Sequence, residues 1–227
     1  MQPDHEKIGA LPHLPLALPR PWPDTVPMLK VGLTGGMASG KTTVLAIFAS
    51  LGAHTLRADA VAHQLMAPAE PLYDRIVSAF GREILAPDGT IARPKLAAAV
   101  FPARIAELNA IVHPAVLAFE DRWMREVGAI DPHAVAICEA ALLIEAGGLQ
   151  RYDKLIVVTC TLEQKIARFA ARATIAPADA RLELERRMAA QMPEEEKARL
   201  ADFVIDNSGS REDAAQRASQ IWQKLRN

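Results

Sequence analysis

Gly35-Gly36-Met37-Ala38-Ser39-Gly40-Lys41-Thr42 fits the pattern G-x-x-x-x-G-K-[ST]. An apolar run at residues 29–34 precedes it and reads as a strand. After it, Val44, Leu45, Ile47, Phe48 and Leu51 recur at helical spacing through residues 41–51. A glycine-rich turn between strand and helix is the setting in which this pattern wraps phosphate. Glycine accepts the positive φ of a tight curl, and the first helical turn offers unpaired N–H groups and a positive dipole end. The expected nucleotide contacts are Gly36, Ala38, Ser39, Gly40, Lys41, Thr42 and Thr43. Lys41 reaches toward the β- and γ-phosphates of ATP, and the Thr42 hydroxyl suits Mg²⁺. The motif indicates nucleotide binding and leaves open where the phosphate goes.

Outward from this loop the chain keeps a regular rhythm. Short apolar runs at 53–56, 135–138, 155–159 and 203–205 alternate with helical pattern, as in βαβ units with a parallel sheet. Their continuous apolarity fits strands covered on both faces, with ligands at the strand C-terminal edge. Two helical stretches interrupt the rhythm, at about 60–130 and at 163–200, the second rich in arginine. The expected class is α/β.

The chain has 227 residues, formal net charge −1, 50% hydrophobic and 23% charged residues, which suits one globular unit rather than a disordered chain. Near-neutral charge gives no electrostatic reason to expect nucleic acid or an anionic membrane as partner. No apolar run approaches the roughly 18 residues of a membrane span. The two cysteines, Cys138 and Cys160, end apolar runs and read as buried strand positions, making neither a disulfide framework nor a zinc set. Seven of the 16 prolines fall between Pro3 and Pro27. Residues 1–27 therefore read as an extended leader, without the apolar core of a secretory signal, and Met28 opens the domain. A cytoplasmic location and a monomer or weak homo-oligomer are the expectations.

The acceptor side is sought among acids at strand ends. Asp59 follows the second run and suits either a general base for an incoming hydroxyl or a helix N-cap. Glu139 ends the run 135–138 and suits either a Mg²⁺ acid or a solvated strand end. Arg168 and Arg172 lie one helical turn apart, and Arg181, Arg186 and Arg187 follow, so a closing segment with a phosphate-contacting arginine is expected there. His113 precedes Pro114 among apolar neighbours and lacks partners at metal-ligand spacing.

With these motifs in order, the chain resembles the dephospho-CoA kinase family. The resemblance covers most of residues 29–225. It runs through Val31–Gly36 and Ser39–Thr43, then Ala58-Asp59 with Ala62-His63, Phe80-Gly81 and Asp88-Gly89. It continues through Arg93, Leu96, Phe101, Leu108-Asn109, His113-Pro114, Leu142-Leu143 with Glu145, Arg168, Arg172, Gln191 and Ile205–Gly209. It implies a nucleoside-monophosphate-kinase-like three-layer P-loop fold with a five-stranded parallel sheet. The core would be 28–59, 131–162 and 201–227, with a helical substrate-binding insertion at about 60–130 and a lid at about 163–200. The implied activity is phosphorylation of the ribose 3′-hydroxyl of dephospho-CoA by ATP with Mg²⁺, giving CoA and ADP, the final step of coenzyme A biosynthesis. The resemblance implies catalytic roles for Asp59, Lys41 and Arg172, and substrate contacts at Asp59, His63, Arg93, Phe101, His113 and Glu145. It places Asn207 near adenine, and Thr42 and Glu139 on the metal.

Three positions depart from the family pattern. Arg57 replaces the first acid of Asp-Ala-Asp, Ala141 replaces a proline, and Ala38 replaces a loop glycine. Because alanine tolerates positive φ poorly, Ala38 is expected at negative φ. The competing readings are another P-loop small-molecule or nucleotide kinase, and a nucleotide-binding module without transfer chemistry.

Overall fold

The structure is a computed structural model that describes residues 28–189 and 191–226. The proline-rich leader expected at 1–27 lies outside the described residues. Five strands, β1 (Leu29–Gly35), β2 (His54–Arg57), β3 (Val135–Glu139), β4 (Lys154–Thr159) and β5 (Phe203–Asp206), form one sheet in the order β2-β3-β1-β4-β5. Every neighbouring pair is parallel. Each apolar run became a strand, with ends moved by a residue or so. The second run, expected at 53–56, is His54–Arg57, so Arg57 belongs to the strand end itself.

Nine helices are described: α1 (Lys41–Ser50), α2 (Ala58–Leu65), α3 (Pro71–Phe80), α4 (Arg93–Val100), α5 (Ile105–Ile130), α6 (Leu162–Ala173), α7 (Pro177–Met188), α8 (Glu194–Leu200) and α9 (Arg211–Leu225). The reason for the apolar runs is visible in the layers. On one face of the sheet Val31, Leu33, Ile137 and Ile156 pack against Phe48 of α1 and Ile221 of α9. On the other, Ala136 meets Val127 of α5, and Leu155 and Val157 pack with Leu143 and Tyr152. Both cysteines are buried, Cys138 within β3 as expected and Cys160 one residue beyond the end of β4.

The two interruptions of the rhythm each build a centre of their own. Leu72, Ile76, Phe80, Ile84, Leu96 and Val100 form a separate core within α3, α4 and the turn between them. Ile166, Phe169 and Leu184 join α6 to α7, and Met37 and Ala38 of the glycine loop pack against them. Among the described residues no helix is long and apolar enough to cross a membrane.

Candidate active site

Strand β1 ends at Gly35 and α1 begins at Lys41, so the glycine loop sits at the C-terminal edge of the central strand. The chain must turn sharply there. Gly40 has φ 92°, and a Cβ at that position would run into Asn207 Nδ2. Ala38 has φ 57°, which corrects the expectation of negative φ. The loop is held from outside in that shape. The Ser39 carbonyl accepts from Asn207 Nδ2 at 2.8 Å and from Arg168 Nη1 at 3.2 Å. Contacts of this kind offset the roughly 1–2 kcal/mol that an L-residue spends in the left-handed region.

The loop interior is receptive to anions. Lys41 Nζ lies over it, donating to the carbonyls of Gly35 at 3.1 Å and Gly36 at 2.9 Å. Burial pushes the Lys41 pKa below the ordinary lysine value, with the Glu139 and Asp59 carboxylates opposing the shift. Ser39 Oγ is buried and has no hydrogen-bond partner among the described residues. A carboxylate already occupies one loop amide: Gly36 N–H donates to Glu194 Oε1 at 3.2 Å, while Lys165 Nζ holds the other oxygen of Glu194 at 2.7 Å. Thr43 is exposed on the first turn of α1.

Beside the loop stand the strand-end acids. Glu139 is the last residue of β3, and its Oε2 accepts from Thr42 Oγ1 at 3.5 Å and from Arg57 Nε at 3.2 Å. Asp59 is exposed in the first turn of α2. Of its two expected roles the cap is overturned. Helix α2 already includes Ala58, its N-cap is Arg57, and no side chain makes a capping hydrogen bond there.

Asp59 and His113 line one cavity of about 360 Å³, floored by Glu120 and Tyr152 and bordered by Asn109 and Gln191. Glu120 is buried, accepts from Tyr152 Oη at 3.3 Å, and has its pKa raised, chiefly by burial. His63 and Arg93 line a different cavity, of about 820 Å³, on the other side of α2. Asp59 and His63 are neighbours one turn apart on α2, yet each lines the cavity on its own side of the helix. Phe101 is exposed beneath the Arg186 guanidinium, 4.9 Å from its ring centre. Glu145 is tied up rather than free: Lys197 Nζ lies 2.7 Å from its Oε1, which also accepts from Met192 N. Arg172 is exposed and stacks over Phe169 at 5.6 Å. Its helical neighbour Arg168 instead reaches the loop, and also donates to the Asn207 carbonyl at 2.9 Å. The structure thus gathers Lys41, Thr42, Glu139 and Asp59 at one sheet edge, and His113 with Asp59 at one cavity. His63 and Arg93 line the neighbouring cavity, which also takes in Arg57, and Phe101, Glu145 and Arg172 line neither.

A family model described as dephospho-CoA kinase matches residues 29–213. The chain belongs to the dephospho-CoA kinase family. A dephospho-CoA kinase of Geobacter metallireducens is 42% identical over 199 residues, covering 87% of this chain and 96% of that protein. One from Streptomyces avermitilis is 40% identical, covering 87% and 94%. Among solved structures, a Thermus thermophilus protein superposes with a TM-score of 0.72 at 31% identity, covering 88% of this chain and 98% of its own. A dephospho-CoA kinase from Campylobacter jejuni gives a TM-score of 0.56 at 25% identity, covering 88% and 98%. Shikimate kinase from Acinetobacter baumannii, at 15% identity and a TM-score of 0.50, shares the fold alone.

For a dephospho-CoA kinase the donor set at this edge fits Mg²⁺. The Thr42 hydroxyl and the Glu139 carboxylate are hard oxygen donors. Mg²⁺ commonly keeps several waters and takes only one or two protein oxygens beside substrate phosphates. Two features of the site were not assigned from the sequence. Arg168 stood in the arginine cluster without a role of its own, and Glu120 sat inside a long helical pattern as one acid among several. Tertiary packing alone buries it beside Tyr152 and Arg151, on the cavity that Asp59 and His113 line.

Proposed function

We propose that the sheet edge between the glycine loop and the α2–α5 cavity transfers the γ-phosphoryl group of ATP to the ribose 3′-hydroxyl of dephospho-CoA, giving CoA and ADP. The family supplies the reaction. The observation that carries the site reading is the placement of Asp59, at the mouth of the cavity and close enough to Lys41 to act on its pKa. Asp59 accepts the proton of the attacking hydroxyl, and Lys41 meets the β- and γ-phosphates in the curled loop. Arg168 and Asn207 hold the loop in that curl through the Ser39 carbonyl. Mg²⁺, held by Thr42 and Glu139, supplies charge neutralisation on the phosphates when bound. Helices α2–α5 receive the acceptor, and α6–α8 form the lid, whose exposed Arg172 and Arg186 exchange their present surface partners for phosphate on closure. His63, Arg93, His113 and Phe101 are the acceptor contacts, and Asn207 borders the adenine.

A coupled ADP-release assay with dephospho-CoA, adenosine and AMP as acceptors tests the reading. Turnover with dephospho-CoA alone is expected. Turnover with AMP and none with dephospho-CoA would replace the substrate. In the same assay Asp59→Asn should lower kcat by about 10²–10⁴-fold, the usual value of a general base, with KM for ATP little changed. Near-normal turnover would remove the base role from Asp59.

A further inference from the structure

Strands β2 and β3 pair in register so that Arg57 lies opposite Glu139, both at the last position of their strands. Paired residues of parallel strands point to the same face, so the two side chains meet. The Arg57 Nε–Glu139 Oε2 distance is 3.2 Å, with the carboxylate side chain 6% exposed and the guanidinium side chain 47% exposed. The same oxygen faces Thr42 Oγ1 at 3.5 Å. One carboxylate oxygen therefore carries both the loop hydroxyl and a permanent cation. The Lys41 ammonium is close enough for the Glu139 and Asp59 carboxylates both to act on it. A divalent ion placed between Thr42 and Glu139 meets an acid that is already neutralised.

We propose that Arg57 is a positioning residue that sets the divalent-cation requirement of this enzyme. Its guanidinium holds the Glu139 carboxylate toward Thr42 and competes with the cation for Oε2. Charging the site therefore means loosening the Arg57–Glu139 contact, which the half-exposed guanidinium can do by swinging into water. The proposal rests on the kinase reading above, because it needs Thr42 and Glu139 to serve a metal–nucleotide complex. No proton or electron moves in it; one ionic partner replaces another.

The test uses Mn²⁺ in place of Mg²⁺, followed by electron paramagnetic resonance with saturating ADP and the intact chain. Arg57→Met keeps an apolar stem and removes the charge. It should lower the Mn²⁺ midpoint about three- to tenfold, the scale set by one half-screened unit charge near a divalent ion. Arg57→Lys keeps the charge and should stay within about twofold of the unaltered chain, since the repulsion persists. In the Glu139→Gln background, Arg57→Met should change the midpoint by less than it does with Glu139 present, because competition for the shared carboxylate oxygen is gone and only the direct repulsion remains. Circular dichroism and the thermal midpoint of each variant verify folding. An unchanged or raised midpoint in Arg57→Met, or an equal drop in Arg57→Lys, overturns the role of Arg57 while leaving the kinase reading standing. No saturable Mn²⁺ signal in the unaltered chain overturns the metal–nucleotide reading, and this proposal with it.

Discussion

The residues that grip the glycine loop and the residues that dress α7 are equally rich in charge, and they use it in opposite ways. Around the loop the charges are buried and satisfied one by one. Lys197 is fully buried between Glu145 and the Ala141 carbonyl, and Lys165 is covered where it meets Glu194. On α7, Glu183 pairs with both Arg186 and Arg187 at the surface, and Arg181 pairs with Glu185 in the same way. A buried ion pair holds its geometry because breaking it strands a charge in a poor solvent. An exposed pair breaks at almost no cost, since water and salt replace the partner. The first kind fixes α6 and α8 beside the loop, and the second lies wholly within α7 and ties that helix to nothing else.

That contrast makes a graded series of expectations. Lys41→Ala should lower kcat/KM by about 10²–10³-fold in the ADP-release assay, the usual effect of removing one preorganised donor to a transferring group. Lys197→Met removes the buried partner of Glu145, whose side chain keeps access to water, and should cost about 1–3 kcal/mol of stability in chemical denaturation. Adding Glu145→Leu should return much of that loss, because both charges are then gone. Asn207→Ala leaves the buried Ser39 carbonyl with Arg168 alone and should cost about 1–3 kcal/mol, with a rise in KM for ATP. The smallest change belongs to Glu183→Ala, a shift in Tm of about 1–2 °C that vanishes in high salt.

The Glu183 carboxyl is held at a pKa of about 2 by hydrogen bonds from Arg186 and Arg187. Its folded-state value is depressed, so whatever it contributes is present above the ordinary glutamate pKa. The contribution is lost as the pH falls through the folded value. A titration of Glu183 by NMR should place its midpoint near 2 rather than near the ordinary glutamate value of about 4.3. A midpoint near the ordinary value would show the α7 pairs to be looser than described.

Much of the frame was legible because its signals are local. The loop motif sits between β1 and α1, and the apolar runs became five strands, of which the central β3, β1 and β4 are buried. Asp59 was legible as an acid at a strand end, but its choice between base and cap was not. The helix starts at Ala58, two residues earlier than a cap at Asp59 requires. The φ of Ala38 was misjudged for a similar reason. Propensity weighs a residue alone, while Asn207 and Arg168 hold the neighbouring Ser39 carbonyl from far along the chain. The acceptor residues named by resemblance are divided between two cavities, because α2 stands between them. Nothing in the spacing of His63 and His113 foretells which side of that helix each will face.

By itself the sequence determined the strand–loop–helix that takes phosphate, the parallel α/β class and the acids available at strand ends. Each follows from neighbours in the chain: glycine's freedom at φ, the period of apolar residues, and the type of residue that closes a run. The tertiary structure alone decided which acid answers to which cation. Arg57 reaches Glu139, Lys197 reaches Glu145 and Lys165 reaches Glu194 only after strand register and helix packing bring them together. Ion pairs of that range carry no local pattern, since their energy depends on distance and burial, and both are fixed only once the chain has folded.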